Sequence, residues 1–386
     1  MRIVINDIAA SSGGALSVLK DFYDAVKEGD TNNEYIFFLS DTYVEETERI
    51  KVKLFPNVKN HRIYKLLFDL LLGRYQVNKW KPDIVLSLQN IIVFGTKAPQ
   101  VVYIHQPLPY QKEKNFSFLK KEERSLAVYQ KIIGRIINRS ARKAVKVIVQ
   151  TMWMKEAVSS IAKIPINKIE VIMPNTFKIK KQVLDDSERD KIETIIADSS
   201  KIEDSTEIEN WNNKLFFYPT ADILYKNIEC IRLACHILNE SGRDDFKVEL
   251  TIQGSDTMNI KHISKISREE VLAKYSRSTL IFPSYIETFG LPLAEAKEAG
   301  TVILASDCAF SREILAGYVN AYFFDHKRPE ELAELIKQVI DGAIVKKYVQ
   351  ADKDLREENN RKYGDARNSW GKVIDLLLAI QLESGR

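Results

Sequence analysis

Short unbroken runs of apolar residues recur along the chain. The first half holds RIVIN (2–6), EYIFFLS (34–40), DIVLSLQ (83–89), QVVYIHQ (100–106), VKVIVQT (145–151) and IEVIMP (169–174). The second holds KLFFYPT (214–220), VELTIQG (248–254), TLIFPS (279–284), TVILAS (301–306) and AYFFD (321–325). Most run continuously rather than alternating with polar residues, the pattern of strands covered on both faces by helices. Amphipathic stretches separate many of them. After the first run, Leu19, Phe22 and Val26 share one face of a helix expected over 15–27. Strands alternating with helices in two halves predict an α/β protein of two doubly wound domains.

Between the halves, 178–213 is dense in Lys, Asp, Glu and Ser and poor in large apolar residues, and reads as a linker with a solvated, partly helical insertion. That divides the chain into domains over 1–177 and 214–365. The stretch 366–386, amphipathic and carrying Trp370, either finishes the second domain or crosses back to the first. A length of 386 residues suits two cores better than one. With 45% apolar and 28% charged residues the composition is that of a soluble globular protein, and a net charge of +4 is too mild for a dedicated nucleic-acid binder. Cys230, Cys235 and Cys308 form no CxxC, and read as buried reduced thiols of a cytosolic protein. The opening MRIVIND enters a strand at once, so no signal peptide is expected. Uncharged runs such as 84–96 are too short to span a bilayer.

In open α/β sheets ligands bind beyond the carboxyl ends of the strands, and four strand-to-helix turns hold residues unusual for plain connectors. In NDIAASSGGALSVL, Gly13 and Gly14 open a helix, letting backbone approach a ligand and offering free N–H groups to an anion. The spacing is neither GxGxxG nor GxxxxGK[ST], and a flexible turn explains it as well. In YIHQPLPY, His105 closes a buried strand ahead of two prolines, either as a ligand contact or as a histidine satisfied by backbone. In YPTADILYKN, Lys226 precedes a helix start, where the dipole disfavours a cation; an anionic ligand would resolve the misfit, and a solvated lysine is the alternative. In SYIETFGLPLAE, Glu287 and Glu295 flank a turn through Gly290, with Pro292 suited to the first turn of a helix. Carboxylates accept from hydroxyl pairs and a helix N-terminus faces phosphate, so a nucleotide sugar matches this layout. The bland alternative is a capping acid beside a surface glutamate.

Glu287 and Glu295 with TFGLPLAEA form an E-x7-E motif, and YSRSTLIFPSYIETFGLPLAEAKEAGTVILAS (275–306) resembles the signature block of family 4 glycosyltransferases. The diglycine loop, YIHQP and YPTADILYKN share the resemblance, which spans most of the chain. It implies the GT-B fold, two Rossmann-like domains facing each other across a cleft, the first binding acceptor and the second binding the donor nucleotide. It implies that Glu295 binds the ribose hydroxyls and that Glu287 contacts the donor sugar with backbone N–H groups of Thr288, Phe289, Gly290 and Leu291. Lys226 would neutralise the pyrophosphate, Gly13 and Gly14 would approach it, His105 would line the sugar pocket, and Gly254 and Ile266, with Lys265, would lie near the base. One departure stands out: Ala221 occupies the place where the family often has an arginine, and Arg312 is one candidate to replace its charge.

The implied reaction is transfer of a sugar, with retention, from a nucleotide diphosphate sugar to a glycan hydroxyl, as in bacterial O-antigen or capsular polysaccharide assembly. No cofactor or metal is required, and the Asp352–Asp354 spacing reads as a solvated face. Two rivals remain at this level: a GT-B nucleotide-sugar epimerase, and a non-catalytic nucleotide-sugar-binding subunit. The stretch 131–146, KIIGRIINRSARKAVK, has six basic residues and no acid; Arg135, Arg139 and Arg142 share one helical face beside Ile132, Ile133, Ile136 and Ile137. Such a helix suits an anionic membrane and a lipid-linked acceptor, with Phe116 and Phe118 exposed nearby, on the inner face of the plasma membrane. Alternatively the isoleucines pack on the sheet and the arginines are merely solvated.

Overall fold

The computed structural model describes residues 1–11, 13–29, 32–59, 62–174, 211–347 and 369–384. The chain divides into two compact units, Met1–Pro174 with Asn368–Arg386, and Asn175–Arg367. Most of the charged stretch 178–213, and the Asp352–Asp354 pair, lie outside the described residues.

The first unit is a seven-stranded parallel sheet, β1 (Arg2–Asn6), β2 (Glu34–Leu39), β3 (Ile50–Leu54), β4 (Ile84–Ser87), β5 (Gln100–Tyr103), β6 (Lys146–Val149) and β7 (Ile169–Val171), in the order β3-β2-β1-β4-β5-β6-β7. Ile3 pairs with Tyr35 on one side and Ile84 on the other. Successive side chains alternate between faces, so Ile3 and Ile5 join one core and Val4 the opposite one. On the first face, Leu19, Phe22 and Val26 of helix Gly13–Gly29 are buried as their spacing requires. Helix Ser369–Ser384 completes this layer with Trp370, Val373 and Leu377. Trp370 sets its indole edge-on against Phe22 at 5.2 Å and against Tyr103 at 5.9 Å.

The opposite face is covered by helices that contain Phe68 and Val77, and by Ile137, Ala141, Met154 and Val158. Here the basic segment departs from expectation. The helix does not run through 146: it ends at Lys143, where Ala144 turns extended (ψ 149°), and Lys146 begins β6. A π turn over Tyr129–Ile133 precedes the regular helix Gly134–Lys143. Ile137 is buried and Ile133 and Ile136 pack on the core, so most of the isoleucine face belongs to the sheet. Arg135, Arg139 and Arg142 are exposed. Phe116, expected at the surface, is fully buried, its N–H held by Gln130 Oε1 at 2.9 Å, whereas Phe118 is 41% exposed.

The second unit is a six-stranded parallel sheet of β8 (Leu215–Tyr218), β9 (Lys247–Leu250), β10 (Ile260–His262), β11 (Thr279–Phe282), β12 (Ile303–Ser306) and β13 (Ala321–Phe324), ordered β10-β9-β8-β11-β12-β13. Its order repeats that of the first six strands of the other unit, and the winding reverses between β8 and β11. Cys230 and Cys235 are buried on helix Ile228–Glu240, and burial pushes both thiols up to about 12, leaving them inert at neutral pH. Among the described residues no helix is long and apolar enough to cross a membrane.

Candidate functional site

A doubly wound sheet opens a crevice where its winding reverses, outside the carboxyl ends of the two central strands. In the second unit those strands are β8 and β11, and the loops leaving them carry Lys226 and Glu287. The two side chains form an ion pair, each largely buried. Ser284 Oγ lies 2.9 Å from Glu287 Oε1 and 3.2 Å from the Tyr225 carbonyl. The loops are also joined through their backbones: Tyr285 N–H donates to the Tyr225 carbonyl at 3.1 Å, and the Tyr218 hydroxyl donates to the Lys226 carbonyl at 3.1 Å. Burial, with the neighbouring Glu287 charge, raises the Tyr225 phenol to about 12.

Lys226 closes a 3-10 turn, and Asn227 then takes a left-handed conformation (φ 58°) before helix Ile228–Glu240 begins. The Asn227 amide donates to the Pro283 carbonyl at 3.3 Å and the His326 carbonyl at 2.9 Å, tying the turn to the ends of β11 and β13. His326 in turn stacks on Tyr285 at 4.9 Å. None of these supporting residues was singled out from the sequence; Asn227 and His326 act on segments far away along the chain.

After Glu287 the chain passes through Thr288 and the buried Phe289 to Gly290, whose φ of 78° favours glycine, and enters helix Leu291–Glu298 with proline in its first turn. The open helix N-terminus thus lies between the two glutamates in sequence. Glu295 is 8% exposed; its Oε1 accepts from Arg268 Nη2 at 2.8 Å and its Oε2 from the Tyr275 hydroxyl at 3.3 Å. Arg268 went unnoticed in the sequence, although it stands at a helix start, the same misplaced-cation signal that marked Lys226.

Gly254 follows β9 at a close approach, since a Cβ there would sit 2.6 Å from the His262 ring. Ile266 lies in the loop between β10 and helix Arg268–Arg277, where Ser264 is left-handed (φ 57°). Arg312 is held by Asp307 through two 2.7 Å bonds and stacks 3.8 Å from the Phe323 ring. Lys226, Glu287, Gly290, Leu291 and Glu295 therefore share one region of one unit, and Arg312 is committed to Asp307.

The remaining candidates belong to the first unit. Gly14 is exposed in the first turn of helix Gly13–Gly29, with no atom within 4 Å of where a Cβ would stand. His105 follows β5. Its N–H and that of Gln106 donate to Asn90 Oδ1 at 2.6 and 3.0 Å. Burial pulls the imidazole down to about 4 against the opposing bond to the Leu88 carbonyl, so the ring is neutral at pH 7. Nε2 is buried without a partner. Beside the end of β1 lies a group that no motif announced: Asp69 Oδ1 accepts from Gln89 at 2.7 Å and Asn6 at 3.4 Å, with Asp7 and Lys65 close enough to influence it and one another.

Residues 209–358 match the family of glycosyl transferases group 1. Solved structures match over nearly the whole chain at low identity. The Anabaena protein HepE, solved with UDP-glucose, shares 15% identity over 98% of this chain and all of its own, with a TM-score of 0.63. A sucrose-phosphate synthase from Thermosynechococcus elongatus shares 14% over the whole of both chains at 0.65. WaaG, a glycosyltransferase involved in lipopolysaccharide biosynthesis, shares 15% over 98% of this chain and 99% of its own at 0.59. The fold, two parallel-sheet Rossmann-like domains, is that of GT-B glycosyltransferases. No curated protein sequence matches the chain.

Proposed function

We propose that the protein is a retaining glycosyltransferase of family 4 that moves a sugar from a nucleotide diphosphate sugar to a hydroxyl of a lipid-linked glycan precursor, as in O-antigen or capsular polysaccharide assembly. The observation that carries this reading is the Lys226–Glu287 pair at the reversal between β8 and β11, eight residues ahead of the buried Glu295. In the reaction the bond from the anomeric carbon to the diphosphate oxygen breaks while the acceptor oxygen bonds to the same face of that carbon. The acceptor proton passes to the departing phosphate. Negative charge grows on the diphosphate, where Lys226 and the backbone N–H groups of Gly290 and Leu291 stabilise it. Binding of donor would draw Lys226 from Glu287 toward phosphate and release the Glu287 carboxylate to the sugar hydroxyls. Glu295 would accept from the ribose diol. No step calls for a metal ion.

HepE was solved with UDP and with UDP-glucose, so UDP-hexoses are the first donors to test. Titration calorimetry with UDP and UDP release in the presence of glycan acceptors form the experiment. Glu287→Ala should abolish transfer, by about 100-fold or more, while retaining UDP binding. Full transfer by that variant would overturn the assignment, and donor conversion without acceptor would mark an epimerase instead. The exposed Arg135, Arg139 and Arg142 would place the first unit on the anionic inner face of the plasma membrane, where a lipid-linked acceptor resides.

A further inference from the structure

Helix Arg268–Arg277 has a well-defined start. Ser267 Oγ accepts from Glu270 N–H at 3.1 Å, and Glu270 Oε2 accepts from Ser267 N–H at 2.8 Å, a reciprocal cap that fixes the first turn. Arg268 and Tyr275 are seven residues apart, two turns along one face. That face delivers a guanidinium to one oxygen of Glu295 and a phenol to the other. The two partners differ in exposure: Tyr275 is fully buried, whereas the Arg268 side chain is 57% exposed. Arg268 thus covers Glu295 from the solvent side. It stands directly after the loop carrying Lys265 and Ile266, and as a cation at a helix start it opposes the dipole. Its gain must come from the carboxylate.

We propose that Arg268 is a positioning residue for the nucleotide: its guanidinium fixes one oxygen of Glu295 so that the carboxylate presents its remaining lone pairs to a ribose diol. This rests on the function proposed above and assigns a role that the E-x7-E motif does not contain. A carboxylate has about four acceptor sites, so two remain after Arg268 and Tyr275 are served, one for each hydroxyl of a vicinal diol. The groups facing Glu295 are few. Arg268 and Tyr275 come from the neighbouring helix, and Glu298 stands one turn along its own. Arg312, on the packed helix Ala309–Ile314, is turned to Asp307. Burial raises the Glu295 carboxyl above its usual range; Arg268 is the largest opposing influence, the Tyr275 bond adds to it, and Glu298 works against them. Without Arg268 the carboxyl would keep its proton to higher pH, and a protonated acid presents a donor where a diol needs acceptors.

The test is UDP binding to wild-type protein, Arg268→Gln, Arg268→Lys and Glu295→Gln from pH 5.5 to 8, alongside thermal unfolding without ligand. The Kd ratio of Arg268→Gln to wild type should rise as pH falls across that range, because the variant's Glu295 loses its ionised form at a higher pH than the wild type's. Arg268→Lys should recover most of the wild-type slope, and Glu295→Gln should bind weakly at every pH. Without ligand the sign reverses. The raised carboxyl pKa makes stability fall as pH rises through it, so the drop in Tm caused by Arg268→Gln should grow from pH 5.5 to pH 8. Adding Glu295→Gln should remove that growth. Parallel binding curves for Arg268→Gln and wild type overturn the role of Arg268 alone. Wild-type protein that binds no UDP, UDP-glucose, GDP, dTDP or ADP, with the pH-dependent drop in Tm intact, overturns the nucleotide reading and the ribose diol with it.

Discussion

Asp69 is 1% exposed and Asp7 2% exposed, and burial lifts both carboxyls from about 3.8 to about 7. Lys65, between them electrostatically, is pulled down by the same burial. The sign follows from the direction. A carboxyl whose folded pKa exceeds its unfolded one adds stability below the unfolded value and loses it as pH rises through the folded value. Thermal unfolding of the intact protein, followed by calorimetry, should therefore show this cluster's contribution shrinking between about pH 4 and about pH 7. Asp69→Asn, of the same shape, should flatten the Tm profile in that window. Lys65 works in the opposite sense, adding stability as pH rises from its lowered folded value toward 10.5. A Tm profile unchanged by Asp69→Asn would show that the carboxyl is ionised throughout. The residues of this cluster come from the end of β1, from a helix near 65–69 and from the loop after β4, so no local spacing could have announced it. Glu287 and Lys226 were legible because each lies in the connection that leads from a strand end into a helix. Their direct pairing was not, since it depends on β8 and β11 becoming neighbours.

At the scale of elements, eleven apolar runs each became a strand, and the two strands that went unread, β3 and β10, sit at sheet edges. β3 reads IKVKL, with one face solvated, and β10 is only three residues of the sequence IKH. An edge strand needs cover on fewer sides and carries a weaker apolar signal. The basic segment failed at its ends for a related reason. Periodicity identifies a helical face but not the extended Ala144 that ends it, nor the π turn that inserts a residue before Gly134. Gly134 itself reflects packing, since a Cβ there would stand 2.8 Å from Pro109. Its solvent face keeps a testable membrane role. Flotation with liposomes containing anionic lipid should carry wild-type protein, and Arg135→Ala, Arg139→Ala and Arg142→Ala together should reduce the bound fraction severalfold at about 0.1 M salt, each charge contributing about 1 kcal/mol. Equal flotation of the two proteins would retire that surface. Arg142 also donates to the Ala162 carbonyl at 3.1 Å, so the single variants Arg135→Ala and Arg139→Ala separate charge from local stability.

For the whole molecule, the weight falls on helix Ser369–Ser384, which lies with the first unit although the second unit precedes it in sequence. Trp370, Val373, Leu377 and Ile380 cover the same core as Leu19 and Phe22. Trp370→Ala should lower the stability of the first unit by about 3–5 kcal/mol. Amide exchange by mass spectrometry should show helix Gly13–Gly29 and β1 losing protection, with β8 and β11 unaffected. Equal loss in both sheets, or none, would remove the helix from its assigned role. The sequence left open whether 366–386 finishes the second domain or returns to the first, because an amphipathic face does not specify which core it covers.

That return has a consequence for how the protein comes into being. The ribosome delivers β1 to β7 first, then Asn175–Arg367, and only afterwards the helix that covers Phe22 and Tyr103. At about 5–20 residues per second, the intervening span takes on the order of 10–40 s to synthesise. Throughout that interval the nascent first unit displays an uncovered apolar face, so the protein's most vulnerable moment is a wait during translation, and chaperone demand should rise when elongation through the second unit is slowed.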